Sequence, residues 1–368
     1  MAPETVSQPR ISFRAALAMW LRADRLGRKI RRANASARST APNIRTRSTA
    51  ERSVYICVMN RSFRFGYQLS GNDVSDPVAA AVGAEGSGFD TVLMSDHVGT
   101  NGSSPMVTLG AIAQATSTIR LGTFVLNSDM RNPVQLAWEA STLDRLSGGR
   151  FELGLGAGHT PQEYSATGTV LDVPRVRKER LMEGVEVIRR LVDGKTVTFE
   201  GRYVRVHDAV IDPALQARLP ILVGGNGATL LAHAGAHADI VGLQGLGRTL
   251  ADGHSHQVKW TTERLDDQID QIRSGACDRF DDLELNAMVQ WAEITDDYET
   301  TLEQACNLVP GLTAEQATKL PYLLFGTVDE IVAKLHECRD RWGITYFVVR
   351  ERLAFAEVIR KVRNSAKT

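Results

Sequence analysis

Arg150-Phe151-Glu152-Leu153-Gly154-Leu155-Gly156-Ala157-Gly158-His159 reads as a short buried strand that dissolves into glycine. A helical pattern from Val134 to Leu146 precedes it, and another from Arg177 to Val192 follows. A brief apolar run between two helices, without strict polar alternation, marks a parallel βαβ unit whose sheet is covered on both faces. Gly154, Gly156 and Gly158 alternate, which bares one face of the strand end and would let a ligand approach the backbone closely. The string is not a dinucleotide fingerprint, because the G-x-G-x-x-G spacing is missing.

Working outward, the same alternation recurs along the chain. Strands are expected at Phe63 to Gln68, Thr91 to Met94, Ile119 to Leu126, Arg150 to Gly154, Ile221 to Val223, Asp239 to Leu243, Leu285 to Trp291 and Tyr346 to Arg350. Helical patterns separate them, near Pro77 to Ser87, Met106 to Thr116, Val134 to Leu146, Arg177 to Val192, Ala228 to Gly235, Val258 to Arg273, Thr300 to Asn307 and Val328 to Arg341, with Ala354 to Val362 closing the chain. Eight strands alternating with helices predict a closed (β/α)8 TIM barrel, an α/β fold that runs to this length as one unit. Thr196 to Phe199 and Tyr203 to Val206 around Glu200-Gly201 form a small insertion hairpin. The barrel domain is therefore placed at residues 59–368. Residues 1–58 carry eleven arginines and few acids, and read as a basic extension, disordered, helical or lying upstream of the native start at Met59.

Composition narrows the function. Lys plus Arg (43) equals Asp plus Glu (43) in 368 residues, so no overall field recruits nucleic acid or a membrane surface. No apolar run approaches the roughly 20 residues that span a bilayer. Cys57, Cys277, Cys306 and Cys338 show neither metal-ligand spacing nor a disulfide framework, which fits a reducing cytoplasm. His233 and His237, four apart, and His254 and His256 lack a third ligand, so no metal site is expected. The partner implied is a small molecule.

In such barrels the chemistry gathers where strands end. After the second strand come Ser95-Asp96-His97, a carboxylate and an imidazole able to orient a polar ring or move a proton; the alternative is a helix cap beside a structural histidine. The third strand ends Thr123-Phe124-Val125-Leu126-Asn127, flat enough to back an aromatic ring, although packing alone also explains it. His159 closes the fourth strand. Gly224-Gly225-Asn226-Gly227 runs into a helix beginning near Ala228, and glycine before a helix N-terminus exposes amides to an anion such as phosphate; the alternative is a plain βα turn.

Several blocks together resemble the bacterial-luciferase-like superfamily over Phe63 to the C-terminus. They are Ile119-Arg120-Leu121-Gly122-Thr123, Arg131-Asn132-Pro133, Asp144-Arg145-Leu146-Ser147-Gly148-Gly149-Arg150, Phe199-Glu200-Gly201-x-Tyr203 and Leu324-Phe325-Gly326-Thr327-Val328-Asp329-Glu330. Within it, Ser95-Asp96-His97 after Gly88-Phe89-Asp90 is most similar to oxidoreductases that use the deazaflavin coenzyme F420. The resemblance implies hydride exchange at the deazaflavin C5 carbon. It also implies that Asp96 and His97 lie beside the ring, that the Phe124-Val125 peptide forms a bulge, often cis, beneath it, and that Asn127 belongs to that surface. Ala157, Gly158 and His159 would line the other side, and Gly224, Gly225, Asn226 and Gly227 would hold the coenzyme phosphate. His97, His159 and Asp96 are the catalytic candidates.

Two positions depart from the relatives that oxidise a sugar phosphate. Asn101 stands where they carry Trp, and His159 where they carry Glu, which argues against that substrate. The alternative on the same scaffold is an FMN-dependent monooxygenase that uses dioxygen. The resemblance further implies a homodimer formed through helices at one side of the barrel.

Overall fold

Buried strands rich in Leu, Ile and Val need hydrogen-bonding neighbours on both edges, and here closure supplies them. The computed structural model describes residues 61–365, apart from 71–72, 74, 100–102, 248–257, 259 and 310. The basic extension, Asn101, His254 and His256 therefore lie outside the described residues.

The first half of the barrel contains β1 (Arg64–Gln68), α1 (Pro77–Gly86), β2 (Thr91–Met94), α2 (Pro105–Ala115), β3 (Arg120–Thr123), β4 (Leu126–Asn127), α3 (Pro133–Leu146), β5 (Phe151–Gly156), α4 (Pro161–Thr167) and α5 (Pro174–Val192). All five helices begin with proline, whose missing N–H is no loss in a first turn. A hairpin of β6 (Val197–Glu200) and β7 (Arg205–Ala209) follows. The second half contains β8 (Ile221–Gly224), α6 (Ala228–His237), β9 (Ile240–Leu243), α7 (Thr262–Ala276), β10 (Glu284–Met288), β11 (Trp291–Ile294), α8 (Tyr298–Leu308), α9 (Ala314–Lys319), β12 (Leu323–Gly326), α10 (Val328–Trp342), β13 (Ile344–Val349) and α11 (Arg352–Ser365).

The strands pair in parallel in the order β3-β2-β1-β13-β10-β9-β8-β5-β4, and β3 pairs with β5 through Leu121 opposite Phe151, which closes the ring. Counting β3 and β4 as one interrupted strand gives the eight-stranded barrel expected from the sequence. Two strand assignments need correction. The third strand is not continuous from Ile119 to Leu126, because a cis peptide between Phe124 and Val125 interrupts its ladder. The seventh ends at Met288, and Trp291 instead begins β11, which pairs with β12 in a separate two-stranded sheet.

Alternation along β5 shows the layering. Phe151, Leu153 and Leu155 join the large core between sheet and helices, so Glu152, Gly154 and Gly156 turn inward. Leu93, Phe124, Leu222, Ile240, Met288, Tyr346 and Val348 fill the barrel interior. Glu152 is buried at the opposite end from the strand termini that carry the histidines, where it receives both Arg64 and Arg120. Arg64 also meets Glu284 and lies 4.4 Å over the Tyr346 ring. The interior is a packed plug closed by charge at its base, which leaves the C-terminal rim to bind.

Candidate active site

The rim is organised by the bulge between β3 and β4. Where the cis peptide breaks the ladder, side chains replace the lost bonds. Thr123 Oγ1 donates to Gly154 O and accepts from Gly154 N, each at 2.8 Å, and Ser128 Oγ donates to Gly156 O at 2.9 Å. A Cβ on Gly154 would stand 1.9 Å from Thr123 O, one on Gly156 2.6 Å from Val125 Cγ2, and one on Gly224 3.3 Å from Val125 Cγ1. The glycines of β5 and β8 thus make room for the bulge. This corrects the reading of Gly154 and Gly156 as backbone bared for a ligand: the close approach is made by Thr123 and Val125.

Asp96, 7% exposed, anchors the same bulge. Its Oδ2 accepts the Asn127 amide N–H at 2.9 Å, and its two oxygens receive the Arg131 guanidinium at 2.5 and 2.9 Å. Arg131 also donates to Asn127 O at 3.0 Å. A carboxylate engaged in this way holds the backbone rather than offering itself as an acid or base.

Asn127 has a buried Nδ2 with no hydrogen-bond partner, while its Oδ1 accepts the Asp129 amide at 3.1 Å. A buried amide N–H₂ left unpaired is costly and marks a place where a ligand acceptor would fit. Gly158 adjoins it with φ +67°, and a Cβ there would stand 2.2 Å from Tyr164 Oη and 2.4 Å from Asn127 Oδ1. Ala157 is half-buried beside it.

The two histidines converge. The His97 and His159 rings lie edge to face, 6.2 Å between centroids. His97 Nδ1 lies 2.7 Å from Oε1 of Glu163, a buried carboxylate on α4. Tyr164, the next residue, is buried and donates to Asp129 Oδ2 at 2.9 Å, which pins α4 to the rim.

The turn after β8 forms a third part of the rim. Gly227 caps α6 with φ +107° and offers no side chain to the helix amides. Lys178 Nζ lies 3.2 Å from where a Gly227 Cβ would be, and Lys178 makes no ion pair among the described residues. Asn226 faces elsewhere, donating to Leu246 O and accepting from Gln268 Nε2 at 3.0 Å, so its side chain is scaffold; the Gly225 amide donates to Gly242 O at 3.4 Å, which leaves the amides nearer the start of α6 for an anion. Gly225 packs against Leu230.

Sequence reasoning missed Glu163, Tyr164, Lys178 and the Arg131 partner of Asp96. It also missed the end of β13, where Arg350 Nε donates to Gln68 Oε1 at 2.9 Å and Glu351 Oε2 accepts the Arg350 amide at 3.1 Å. Burial pushes the Glu351 carboxyl up to about 7, against the opposing Arg350 amide and charge. Its folded pKa lies above its unfolded one, so its favourable contribution is complete below about pH 4.5 and is lost as pH rises through about 7. Glu351→Gln should therefore gain about 1–3 kcal/mol relative to wild type between pH 5 and pH 8, read by urea unfolding at both pH values.

An eight-stranded parallel barrel with paired imidazoles, an unpaired amide and a glycine turn on its C-terminal rim belongs to the class of (β/α)8 proteins. More particularly, the chain belongs to the luciferase-like monooxygenase family, whose model matches residues 54–276. It is 36% identical over 185 residues to the F420-dependent glucose-6-phosphate dehydrogenase of Kineococcus radiotolerans, a match covering 48% of this chain and 55% of that protein. To the protein of the same name from Microbacterium testaceum it is 30% identical over 268 residues, covering 70% of this chain and 76% of the other. The chain thus spans little more than half the length of several curated relatives it matches. Among solved structures, an F420-dependent secondary alcohol dehydrogenase in complex with an F420-acetone adduct superposes with a TM-score of 0.66 at 22% identity, covering 82% of this chain and 100% of that one. That likeness supports the fold.

Proposed function

We propose that the chain is an oxidoreductase that exchanges hydride between coenzyme F420 and a small organic substrate at this rim. The observation that carries the reading is the convergence of His97 and His159, 6.2 Å apart, on strand ends that flank the Phe124-Val125 bulge. The names of the Kineococcus and Microbacterium relatives support F420 over FMN. When bound, the deazaflavin supplies a carbon that accepts or gives up a hydride.

The residues present fit such a group. Phe124-Val125 and Ala157-Gly158 would flank the ring, and the unpaired Asn127 amide would donate to it. The Gly224 to Gly227 turn would take the phosphate on the uncapped amides of α6, with Lys178 adding a positive charge. His97 and His159 stand where a proton must be moved, and Asp96 with Arg131 keeps the bulge in place. Lys178→Ala should weaken F420 binding about 10-fold, the value of one charge-assisted hydrogen bond, measured by fluorescence titration.

The rival is an FMN-dependent monooxygenase, for which the description of the family speaks. Titrating the full chain with both coenzymes separates the two: tight binding of F420 with weak FMN binding is expected, and the reverse order would overturn the reading.

We also read the protein as a cytoplasmic homodimer. Cys277, Cys306 and Cys338 are free thiols, and no helix among the described residues is long and apolar enough to cross a membrane. Val107 on α2 and Trp138 and Leu146 on α3 are 75%, 61% and 55% exposed. Gln114 Nε2 donates to Leu146 O at 3.1 Å and ties the two helices together at their C-terminal ends. Trp138→Asp should convert a dimer to monomer in sedimentation equilibrium.

A further inference from the structure

We propose that Glu163 is a positioning residue that fixes the tautomer of His97 and leaves its Nε2 as a proton acceptor. The inference rests on the reading of the rim as a hydride-transfer site, and it concerns two side chains whose geometry is independent of any coenzyme.

Thr160-Pro161-Gln162-Glu163 has the T-x-x-E pattern of a capping box, in which the glutamate turns back to the N-cap amide. Two other helices in this chain form that box, through Thr313 with Gln316 and Thr327 with Glu330. At α4 the box is not made. The N-cap Thr160 makes no side-chain cap bond, and Glu163 points its carboxylate at His97 instead, Oε1 to Nδ1 at 2.7 Å. The glutamate thus forgoes its local partner for one 66 residues away in sequence.

The element carrying it is held firmly. Tyr164 is 1% exposed and bonded to Asp129, the Thr169 amide donates to Tyr164 O at 3.0 Å, and Arg177 donates to Gly158 O just before α4. Glu163 itself is 7% exposed. A carboxylate has acceptors only, so the hydrogen between the two groups sits on Nδ1. A neutral imidazole carries one ring hydrogen, so Nε2 is then a bare acceptor. The groups around His97 are Glu163 from α4, the edge of His159 from the end of β5, and Asp96 beside it in the chain, already bound by Arg131.

The arrangement defines what His97 itself would do. With Nδ1 committed to Glu163, Nε2 would take a proton from a substrate group placed against it or return one to it, while a deazaflavin bound at the rim would supply the hydride chemistry.

The test is long-range proton–nitrogen NMR on the full chain labelled with 15N-histidine, with His97→Gln used to assign the resonance. Wild-type neutral His97 should carry its hydrogen on Nδ1. Glu163→Met should move it to Nε2, the form that free imidazole prefers, whereas Glu163→Gln, which keeps an acceptor oxygen, should leave it on Nδ1. Wild-type His97 with its hydrogen on Nε2, or with both nitrogens protonated up to about pH 9, overturns the proposal. If Glu163→Met does not fold, the wild-type spectrum alone still decides.

With 2-propanol as the probe, Glu163→Met should lower kcat about tenfold with KM and F420 affinity held, and Glu163→Gln should recover part of the loss. Equal falls in F420 affinity and kcat would instead assign Glu163 a merely structural role. Failure of the wild-type chain to bind F420 would sink the hydride-transfer reading, and the NMR result would still decide what Glu163 does to His97.

Discussion

Replacing His97 with alanine should reduce turnover roughly 10²-fold or more while F420 binds nearly as before. The imidazole stands on the loop after β2 and, among the described residues, bonds to Glu163, so removing it leaves the Asp96–Arg131 pair, the bulge and the glycine turn in place. Only the group that moves the proton is lost, and kcat should therefore fall rather than coenzyme affinity. Stopped-flow reduction of F420 with an active alcohol measures the chemical step directly. A rate within a few-fold of wild type would exclude an acid/base role for His97 and shift attention to His159.

The largest stability effect is expected at Arg131→Ala, about 3–5 kcal/mol, because it leaves the buried Asp96 carboxylate without its charged partner. The pair is bidentate, and Asp96 also holds the Asn127 amide, so the loss should spread into the bulge. Arg131→Lys should recover only part of it, since an ammonium cannot match the planar fork. Urea unfolding of the three proteins reports the difference. Equal stability for all three would mean that the bulge is held by the Thr123 and Ser128 bonds to β5 alone.

The barrel was legible because buried parallel strands leave an unambiguous pattern of short apolar runs. Thr91 to Met94 was placed to the residue. Elsewhere the pattern misled for definite reasons. Trp291 follows β10 closely and is equally apolar, so nothing local separates the barrel strand from the small outer sheet. The glycines of β5 announced a close approach without saying by what, and the answer, Thr123 and Val125, lies about 30 residues away. The charged parts of the rim were the least visible. Asp96 with Arg131 and His97 with Glu163 are separated by 35 and 66 residues, and single carboxylates on surface-type patterns carry no mark of the partner that folding brings to them. Glu163 was further disguised by a capping-box pattern that the chain does not use.

The account stands on one physical claim: the ends of β2, β3 and β4, β5 and β8 form a single rim shaped for a tricyclic redox ring and its phosphate tail. A crystal structure of the full chain with oxidised F420 tests it most directly. The ring should lie against the Phe124-Val125 peptide with His97 and His159 at its exposed side, and the phosphate should sit on the Gly224 to Gly227 amides within reach of Lys178. A ring bound away from the bulge, or a phosphate held anywhere but that turn, would contradict it.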